Sequence, residues 1–313
     1  MPETIIQTDR LTRSFKGVQA VDALSIDVPA HSIVGFLGPN GAGKSTTIKL
    51  LLGLIHPTSG SGTIFGKDIV HESREIRQHV GYLAQQPRFD ETMTARQTLR
   101  FVAKFFYSGP ANAIEQRVEE SLALVGLSDK ADRPVQGFSG GEMQRLGIAQ
   151  AQINEPDLLI LDEPAAALDP MGRRDVLNIM EELREKATIF YSTHILDDVE
   201  RVSDRVVILN KGQLVAQGPI EALLQAEEGT VYHVALKGDV ESARARIEGQ
   251  PWVSNLHINQ MNGATHWRVG ISDTEAANAH LLRQMLAVEG VQVLEYGPEA
   301  YELEDVFMQI VQQ

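Results

Sequence analysis

The chain has 313 residues, more than one compact core of ordinary size requires, so we expect two domains. It contains no cysteine, which excludes disulfides and thiolate metal sites and fits a reducing compartment such as the cytoplasm. Its formal net charge is −14, from 42 acidic and 28 basic residues, so nucleic acid is not expected as the main partner. Residues 1–10 do not resemble a signal peptide, and no apolar stretch approaches the roughly 20 residues of a membrane helix. We therefore do not expect the chain to form a channel.

Residues up to Gly218 have the pattern of an α/β fold with a largely parallel sheet. Short apolar runs typical of buried strands occur at Ser32–Leu37, Asp157–Leu161 and Ala187–Tyr191. The first run is followed by apolar residues at helical spacing, namely Ile48, Leu51, Leu52 and Ile55. A β-hairpin is predicted where Asn210-Lys211-Gly212 joins Val206–Leu209 to Gln213–Ala216.

The pattern changes after Gly218. A predicted helix at Ile220–Ala226 leads into Glu227-Glu228-Gly229, and we expect one domain at residues 1–222 and a second at 228–313. The second domain is predicted to be α+β with the order βαββαβ, which is that of ferredoxin-like folds. Its elements are predicted at Thr230–Leu236, Val240–Ile247, Val253–Asn259, Thr265–Ile271, Thr274–Val288 and Val291–Tyr296, with a turn at Met261-Asn262-Gly263. A last amphipathic helix is predicted from Leu303, Val306, Phe307 and Ile310.

A glycine-rich loop follows the first apolar run and precedes the first predicted helix. Its sequence, Gly38-Pro39-Asn40-Gly41-Ala42-Gly43-Lys44-Ser45, matches the phosphate-binding pattern G-x-x-x-x-G-K-S. Glycines let backbone N–H groups turn toward an anion, and the helix N-terminus adds the positive end of its dipole. Lys44 would bring a charge to the β- and γ-phosphates, and Ser45 would offer a hydroxyl to Mg²⁺. By itself this loop predicts only that the chain binds a nucleoside triphosphate.

Two acidic residues, Asp162 and Glu163, follow the buried run Asp157–Leu161. Ligands of open α/β sheets bind at the carboxyl ends of the strands. Asp162 would hold Mg²⁺ through water, and Glu163 would polarise the attacking water as a general base or an orienting group. Two acids at a strand end also occur by chance, so the pair gains its meaning from the phosphate-binding loop.

A second helix start with glycines lies at Ser139-Gly140-Gly141-Glu142. Ser139 and Glu142 fit a capping box, and the alternative interpretation of this segment is simply a well-capped helix. Two glycines in a first turn nevertheless cost about 1 kcal/mol each relative to alanine. They make sense where another group approaches the backbone closely, which favours a second anion site at this helix N-terminus.

With these motifs in place, the sequence resembles the ABC ATPases over about residues 4–218. The resemblance rests on Gly38–Ser45 (Walker A), Ser139–Arg145 (signature), Leu158–Glu163 (Walker B), Ala167-Leu168-Asp169 (D-loop) and His194 (switch histidine). It implies a P-loop NTPase fold with a helical subdomain and Mg²⁺-dependent hydrolysis of ATP. It also implies a head-to-tail dimer, in which each ATP lies between the Walker A loop of one chain and the signature of the other.

The resemblance implies a role for each matching residue. Catalysis would involve Glu163, His194 and Gln85, and Mg²⁺ would be held by Ser45, Gln85 and Asp162. ATP would contact Phe15, Gly38, Pro39, Asn40, Gly41, Ala42, Gly43, Lys44, Ser45, Thr46, Ser139, Gly140, Gly141 and Asp169. Three alternatives stay open: the neighbouring Gln86 in place of Gln85, a core position for Phe15, and a structural role for His194.

The segments Gly35–Thr47, Pro57–Gly60, Ala167–Pro170 and Leu303–Phe307 resemble exporter-type subunits that pair with ABC-2 permeases. This implies an ATPase that powers export through a separate transmembrane permease at the inner face of the cell membrane, with a homodimer expected. The alternatives are a soluble ABC ATPase of the translation or DNA-repair type and a nucleotide-binding regulator without turnover. One cassette, the absence of heptads and cysteines, and the negative charge favour transport. The second domain would regulate the ATPase, brace the dimer or serve as a structural bracket.

Overall fold

The computed structural model of the chain describes residues 4–107, 110–166, 168–226, 230–261 and 263–299. The chain divides into two units, the first ending at Ile220 and the second beginning at Glu221.

The elements are numbered in chain order. The strands of the first unit are β1 (Thr4–Phe15), β2 (Val18–Leu24), β3 (Asp27–Pro29), β4 (Ile33–Leu37), β5 (Ser59–Ile64), β6 (Lys67–Asp68), β7 (Val80–Leu83), β8 (Leu158–Asp162), β9 (Thr188–Thr193), β10 (Arg205–Asn210) and β11 (Gln213–Pro219). The helices up to the unit boundary are α1 (Lys44–Leu51), α2 (Ser73–Ile76), α3 (Ala95–Ala103), α4 (Ala111–Leu124), α5 (Gly140–Gln152), α6 (Pro170–Leu183) and α7 (Leu196–Val202), with 3₁₀ turns at Ser128–Lys130 and Val135–Gly137. The boundary falls at the start of α8 (Ile220–Ala226), and the second unit continues with β12 (Thr230–Lys237), α9 (Val240–Ile247), β13 (Val253–Met261), β14 (Ala264–Ile271), α10 (Thr274–Leu286) and β15 (Gln292–Glu299).

The six-stranded sheet of the first unit has the order β11-β10-β4-β9-β8-β7. Strands β10, β4, β9, β8 and β7 pair in parallel, and only β11 pairs antiparallel, so the prediction of a largely parallel sheet is confirmed for this sheet. Every residue of β4, β8 and β9 is buried, as their continuous apolar runs predicted. Leu37 pairs with Thr193 and Asp162 with Ser192, so the carboxyl ends of these three strands meet at one edge.

A second sheet was not predicted from the sequence. It is antiparallel, with the order β2-β1-β5-β6 and with β3 paired to β1. The longest strand, β1, is interrupted by irregular pairing around Leu11 and Arg13, and it lacks a continuous aliphatic run. Its buried residues Ile6 and Leu11 nevertheless join the same core cluster as Phe36 of the parallel sheet. This sheet places Phe15 at the end of β1.

The predicted helix after the glycine-rich loop is shorter than its apolar spacing suggested. Helix α1 ends at Leu51, so Ile55 lies beyond it. The cause is Gly53, whose φ of 63° is left-handed and whose N–H donates to the carbonyl of Leu50. The N–H of Leu54 donates to the carbonyl of Lys49, which completes a Schellman motif and stops the helix.

Helices α3, α4 and α5 lie between β7 and β8 in the chain. Helix α3 begins with a capping box formed by Thr94 and Gln97. The guanidinium of Arg117 on α4 donates to the backbone carbonyls of Gln152 and Ile153, near the end of α5, at 2.9 and 3.0 Å. These bonds fix α5, which carries the Ser139-Gly140-Gly141 start at its other end.

The second unit has one antiparallel sheet with the order β13-β14-β12-β15. Trp267 of β14 lies at the centre of its core, together with Leu236 of β12, Ile247 of α9 and Leu281 of α10. The predicted final helix and Asn262 of the predicted turn lie outside the described residues. Within the described ranges, no helix has both the length and the apolar character needed to cross a bilayer.

Candidate active site

The loop between β4 and α1 depends on its glycines. Gly41 and Gly43 have φ values of 81° and 108°, which favour glycine. A Cβ at Gly38 would lie 2.4 Å from the carbonyl oxygen of Leu209, and one at Gly43 would lie 2.3 Å from that of Ala20. Gly43 is also the N-cap of α1 and supplies no side-chain cap. The first N–H groups of α1 are therefore left without a side-chain acceptor, which makes this helix start suited to an anion.

Lys44 is buried beneath this loop, with 6% of its surface exposed. Its ammonium Nζ donates to the carbonyl oxygens of Gly38 at 2.6 Å and Pro39 at 3.3 Å. It also lies 3.3 Å from Oε1 of Glu163, which is equally buried. The structure thus brings together the predicted phosphate-binding cation and the predicted catalytic carboxylate, and each compensates the buried charge of the other.

Two hydroxyl side chains contact the carboxylate of Asp162. The hydroxyls of Ser45 and Ser192 donate to its Oδ1 at 3.2 and 2.6 Å. The Ser192 hydroxyl in turn accepts the backbone N–H of Glu163 at 2.9 Å. Ser192 therefore positions both acidic residues, a role that the sequence analysis missed. The available signal was its place at the end of β9, two residues before His194.

Glu163 has a φ of +52°, a left-handed conformation that is uncommon outside glycine. Its Oε2 lies 2.9 Å from Nδ1 of His194, while its Oε1 faces Lys44. His194 is 42% exposed, so it stands at the mouth of the site and not in the core. A strained backbone that aims a buried carboxylate between two such groups is typical of a functional site.

Lys44, Ser45 and Glu163 border a cleft of about 380 Å³. It is lined by Ala20, Asn40, Gly41, Ala42, Gly43, Lys44, Ser45, Thr46, Gln85 and Glu163. The structure thus places Gln85 in the same cleft as Lys44 and Glu163. Phe15 is not among the described residues that line it, but its ring is 43% exposed, which does not fit the core alternative. The guanidinium carbon of Arg13 lies 4.5 Å from the centroid of this ring.

The second glycine-containing helix start forms the predicted capping box. The N–H of Glu142 donates to the Ser139 hydroxyl at 3.3 Å, and the N–H of Ser139 donates to Glu142 Oε2 at 2.7 Å. Burial works against the charged form of Glu142, but its bonds to Lys130 and to the Ser139 N–H outweigh this and lower its pKa. Among the described residues, a Cβ at Gly140 would have no neighbour within 4 Å, and one at Gly141 would only touch Leu168 at 4.0 Å.

Asp169 caps α6 by accepting the N–H of Gly172 at 2.9 Å. Among the described residues lining the cleft, none of Ser139, Gly140, Gly141 and Asp169 appears. These four residues therefore form no part of the Lys44 cleft within one chain. Ala167 of the predicted D-loop lies outside the described residues.

Curated proteins align with this chain, some of them over nearly its whole length. The family model described as ABC transporter matches residues 21–166. An uncharacterized ABC transporter ATP-binding protein, YxlF of Bacillus subtilis, is 35% identical over 311 residues, covering 98% of this chain and 99% of the relative. This chain belongs to the ABC transporter ATP-binding proteins. These matches do not favour the alternative of a soluble ABC ATPase that takes no part in transport.

Two further relatives of this ABC ATPase carry names that state a transport role. The Nod factor export ATP-binding protein I of Burkholderia lata is 33% identical, covering 99% of this chain and 98% of the relative. The bacitracin transport ATP-binding protein BcrA of Bacillus licheniformis is 42% identical, covering 70% of this chain and 71% of the relative.

Solved structures show the same cassette fold. The cbiO1 subunit of Clostridium perfringens, part of the ABC transporter complex cbiONQ, has a TM-score of 0.65 at 26% identity and covers 80% of this chain and 96% of its own. The cassette MJ0796, solved as a post-hydrolysis dimer with ADP and phosphate, has a TM-score of 0.64 at 24% identity, covering 69% and 99%. These structures show the P-loop fold that the sequence predicted. Membership of the ABC transporter ATP-binding proteins shows that the chain is an ATPase that binds and hydrolyses ATP.

Proposed function

We propose that this ABC ATPase drives export through a separate transmembrane permease, as two copies that close head to tail around two ATP molecules at the inner face of the membrane. The observation that carries the proposal is the separation of two anion-suited helix starts. One is joined to Lys44 and Glu163 in a cleft, and the other, at Ser139, lies outside that cleft with open space beside Gly140. The transport names of two relatives support the link to a permease.

Within one chain, the cleft would bind the triphosphate of ATP. Phosphate oxygens would offer Lys44 stronger partners than the carbonyls of Gly38 and Pro39 that it contacts now. Glu163 would then orient or deprotonate the attacking water, with His194 and Gln85 completing its surroundings. Phe15 would stack on the adenine with its exposed face, while Arg13 holds the ring in place.

The donor set at the cleft fits Mg²⁺. Ser45 and Asp162 place a hydroxyl and a carboxylate oxygen 3.2 Å apart, and hard oxygen donors of this kind suit the ion. The described residues contain no larger group of acidic, histidine or cysteine ligands, which agrees with an ion held mainly by water and phosphate. Ser45, Asp162 and Gln85 would hold the ion, which would neutralise charge on the phosphates.

A partner chain would complete each site. Ser139, Gly140 and Gly141 would bring a helix N-terminus to the γ-phosphate bound in the other copy, and Asp169 would lie beside that site. Residues 1–222 would form the ATPase domain, and residues 228–313 would form a ferredoxin-like accessory domain. The strands and helices of the second unit support this, because they follow one another in the order βαββαβ. No nucleic-acid partner is proposed, because the net charge is −14.

Co-expression with a permease encoded beside the gene tests this function. We expect the two proteins to purify together and to support ATP-dependent efflux in membrane vesicles. The Glu163→Gln ATPase should still assemble with the permease but should not support efflux. Co-purification with ribosomes and no membrane protein would instead indicate the non-transport alternative.

A further inference from the structure

Strand β13 is an edge strand of the second unit. In the part of the chain that the structure describes, it pairs with β14 on one side and with no strand on the other. Its pairing with β14 is regular from Asn255 to Met261. An edge strand of this length offers a row of backbone N–H and C=O groups to another strand. Proteins usually block such edges with charges, prolines or bulges.

The two edges of this sheet differ in that respect. Strand β15, at the other edge, carries Glu295, Pro298 and Glu299, and its pairing with β12 is irregular next to Glu295. Strand β13 contains neither a charged residue nor a proline between Val253 and Met261. One edge is therefore protected against association, and the other is left suited to pairing.

The sequence of β13 is chemically symmetric about His257. Residues at equal distances on either side are matched in character, polar with polar and apolar with apolar. Taken outward from His257, the pairs are Leu256 with Ile258, Asn255 with Asn259, and Ser254 with Gln260. An antiparallel strand pair related by a two-fold axis at His257 brings these residues directly opposite each other. Residues directly opposite share a face of the sheet, so the apolar pair and the amide pair would each fall on one face.

We propose that two copies of this chain associate through their β13 strands, antiparallel and centred on His257, and form one continuous eight-stranded sheet. Leu256 and Ile258 support this register because they are only half-buried while packing on the core of their own unit. Pairing would cover both with their symmetry mates. Asn255 and Asn259 would face each other as amides that can exchange hydrogen bonds. The occupant of this edge is thus a second copy of the same chain.

This association needs no nucleotide, unlike the ATP-bound closure under Proposed function. It would keep two ATPase domains in one complex after hydrolysis, at a high effective concentration for the next closure. The two contacts involve different residues, so each is testable while the other is disabled.

Opposite charges placed at His257 test the register. Without nucleotide, light scattering of the full chain should give twice the mass of the 34.4 kDa protomer. His257→Lys and His257→Glu should each reduce the mass to one protomer, because like charges then face each other across the axis. An equimolar mixture of the two variants should restore the dimer mass, because every mixed pair now opposes a cation and an anion.

The matched control places the same charges at Leu294, an exposed residue of the other edge. Leu294→Lys and Leu294→Glu should both remain dimeric, and circular dichroism should show all four variants folded. Ser139→Arg should also stay dimeric without nucleotide, which separates this contact from the ATP-bound one. A wild-type protein of single-chain mass at every concentration, or folded His257 variants that both stay dimeric, would overturn the proposal.

Discussion

Two helix starts of the ATPase unit both contain glycines but have different surroundings. At α1, Gly38 and Gly43 are packed against the carbonyls of Leu209 and Ala20, where a Cβ would lie within 2.4 Å. At α5, a Cβ on Gly140 would lie more than 4 Å from every atom that the described part of the chain places around it. The α1 start has no side-chain cap, whereas Ser139 and Glu142 form a capping box at the α5 start.

The difference shows what each set of glycines is for. The glycines of the first loop are required by the chain's own packing and backbone conformation, and the site they form is complete with Lys44 and Glu163 beside it. No contact among the described residues requires glycine at position 140, although glycine weakens a helix by about 1 kcal/mol relative to alanine. Its absence of a side chain is explained if another molecule approaches there.

The largest effect is expected for Glu163→Gln. Glutamine keeps the shape of the side chain but removes the carboxylate that faces Lys44 and His194. ATP turnover should fall by about 10²- to 10⁴-fold, the usual contribution of a general base. The affinity for ATP should stay close to that of the wild type, because Lys44, Ser45 and Asp162 remain. Steady-state hydrolysis and equilibrium titration measure the two quantities, and wild-type turnover would refute the catalytic role.

Glu163→Gln combined with His257→Lys tests the ATP-dependent dimer alone, because His257→Lys removes the proposed nucleotide-independent contact. Uncleaved ATP should then shift the protein from monomer to dimer in proportion to its concentration. A further change, Ser139→Arg, puts bulk and charge at the α5 start and should reverse this shift while monomer binding of ATP persists. If Mg-ATP leaves the mass unchanged, a closed homodimer is wrong and a heterodimer becomes the better assembly.

Lys44→Ala should weaken ATP binding by about 10- to 100-fold, because charge-assisted hydrogen bonds contribute about 1.5–3 kcal/mol each. Equilibrium titration with ATP measures this loss. Lys67→Ala is the matched control, since Lys67 makes its ion pairs with Glu72 and Glu75 at the surface and should leave affinity unchanged. Equal affinities for the two variants would show that the loop does not bind the phosphates.

The sequence predicted the buried strands and the glycine-rich loop beside the cleft because both depend on local patterns. Continuous apolar runs identify β4, β8 and β9, and the loop around Lys44 has a strict spacing of glycines. What it missed depends on contacts between distant residues. The role of Ser192 requires β8 and β9 to pair. The long strand β1 is stabilised by a sheet formed from scattered segments, and the end of α1 depends on the left-handed conformation of Gly53.

A matched pair of glycine substitutions gives a smaller but more specific effect. Gly43→Ala should destabilise the protein, because φ is 108° and the new Cβ would lie 2.3 Å from a backbone oxygen. Gly140→Ala should leave the unfolding temperature unchanged or raise it by about 2–4 °C. It should still lower turnover, because the methyl group would intrude on the surface facing the partner. Thermal unfolding and hydrolysis rates decide this, and a fully active Gly140→Ala protein would contradict the explanation of that glycine.

The smallest effect on the affinity for ATP is expected from ending the chain at residue 222. Both helix starts belong to the first unit, and so do Lys44, Asp162, Glu163 and His194. If that unit is an independent ATPase domain, the shortened protein should fold and bind ATP with an affinity close to that of the full chain. It should also lose the nucleotide-independent dimer, because β13 is removed, and should form a dimer only with ATP when Glu163→Gln is present. Titration and light scattering on the same sample separate the two contacts. A folded protein that does not bind ATP would show that the second unit contributes to the ATP site, and that the first unit is not an independent ATPase domain.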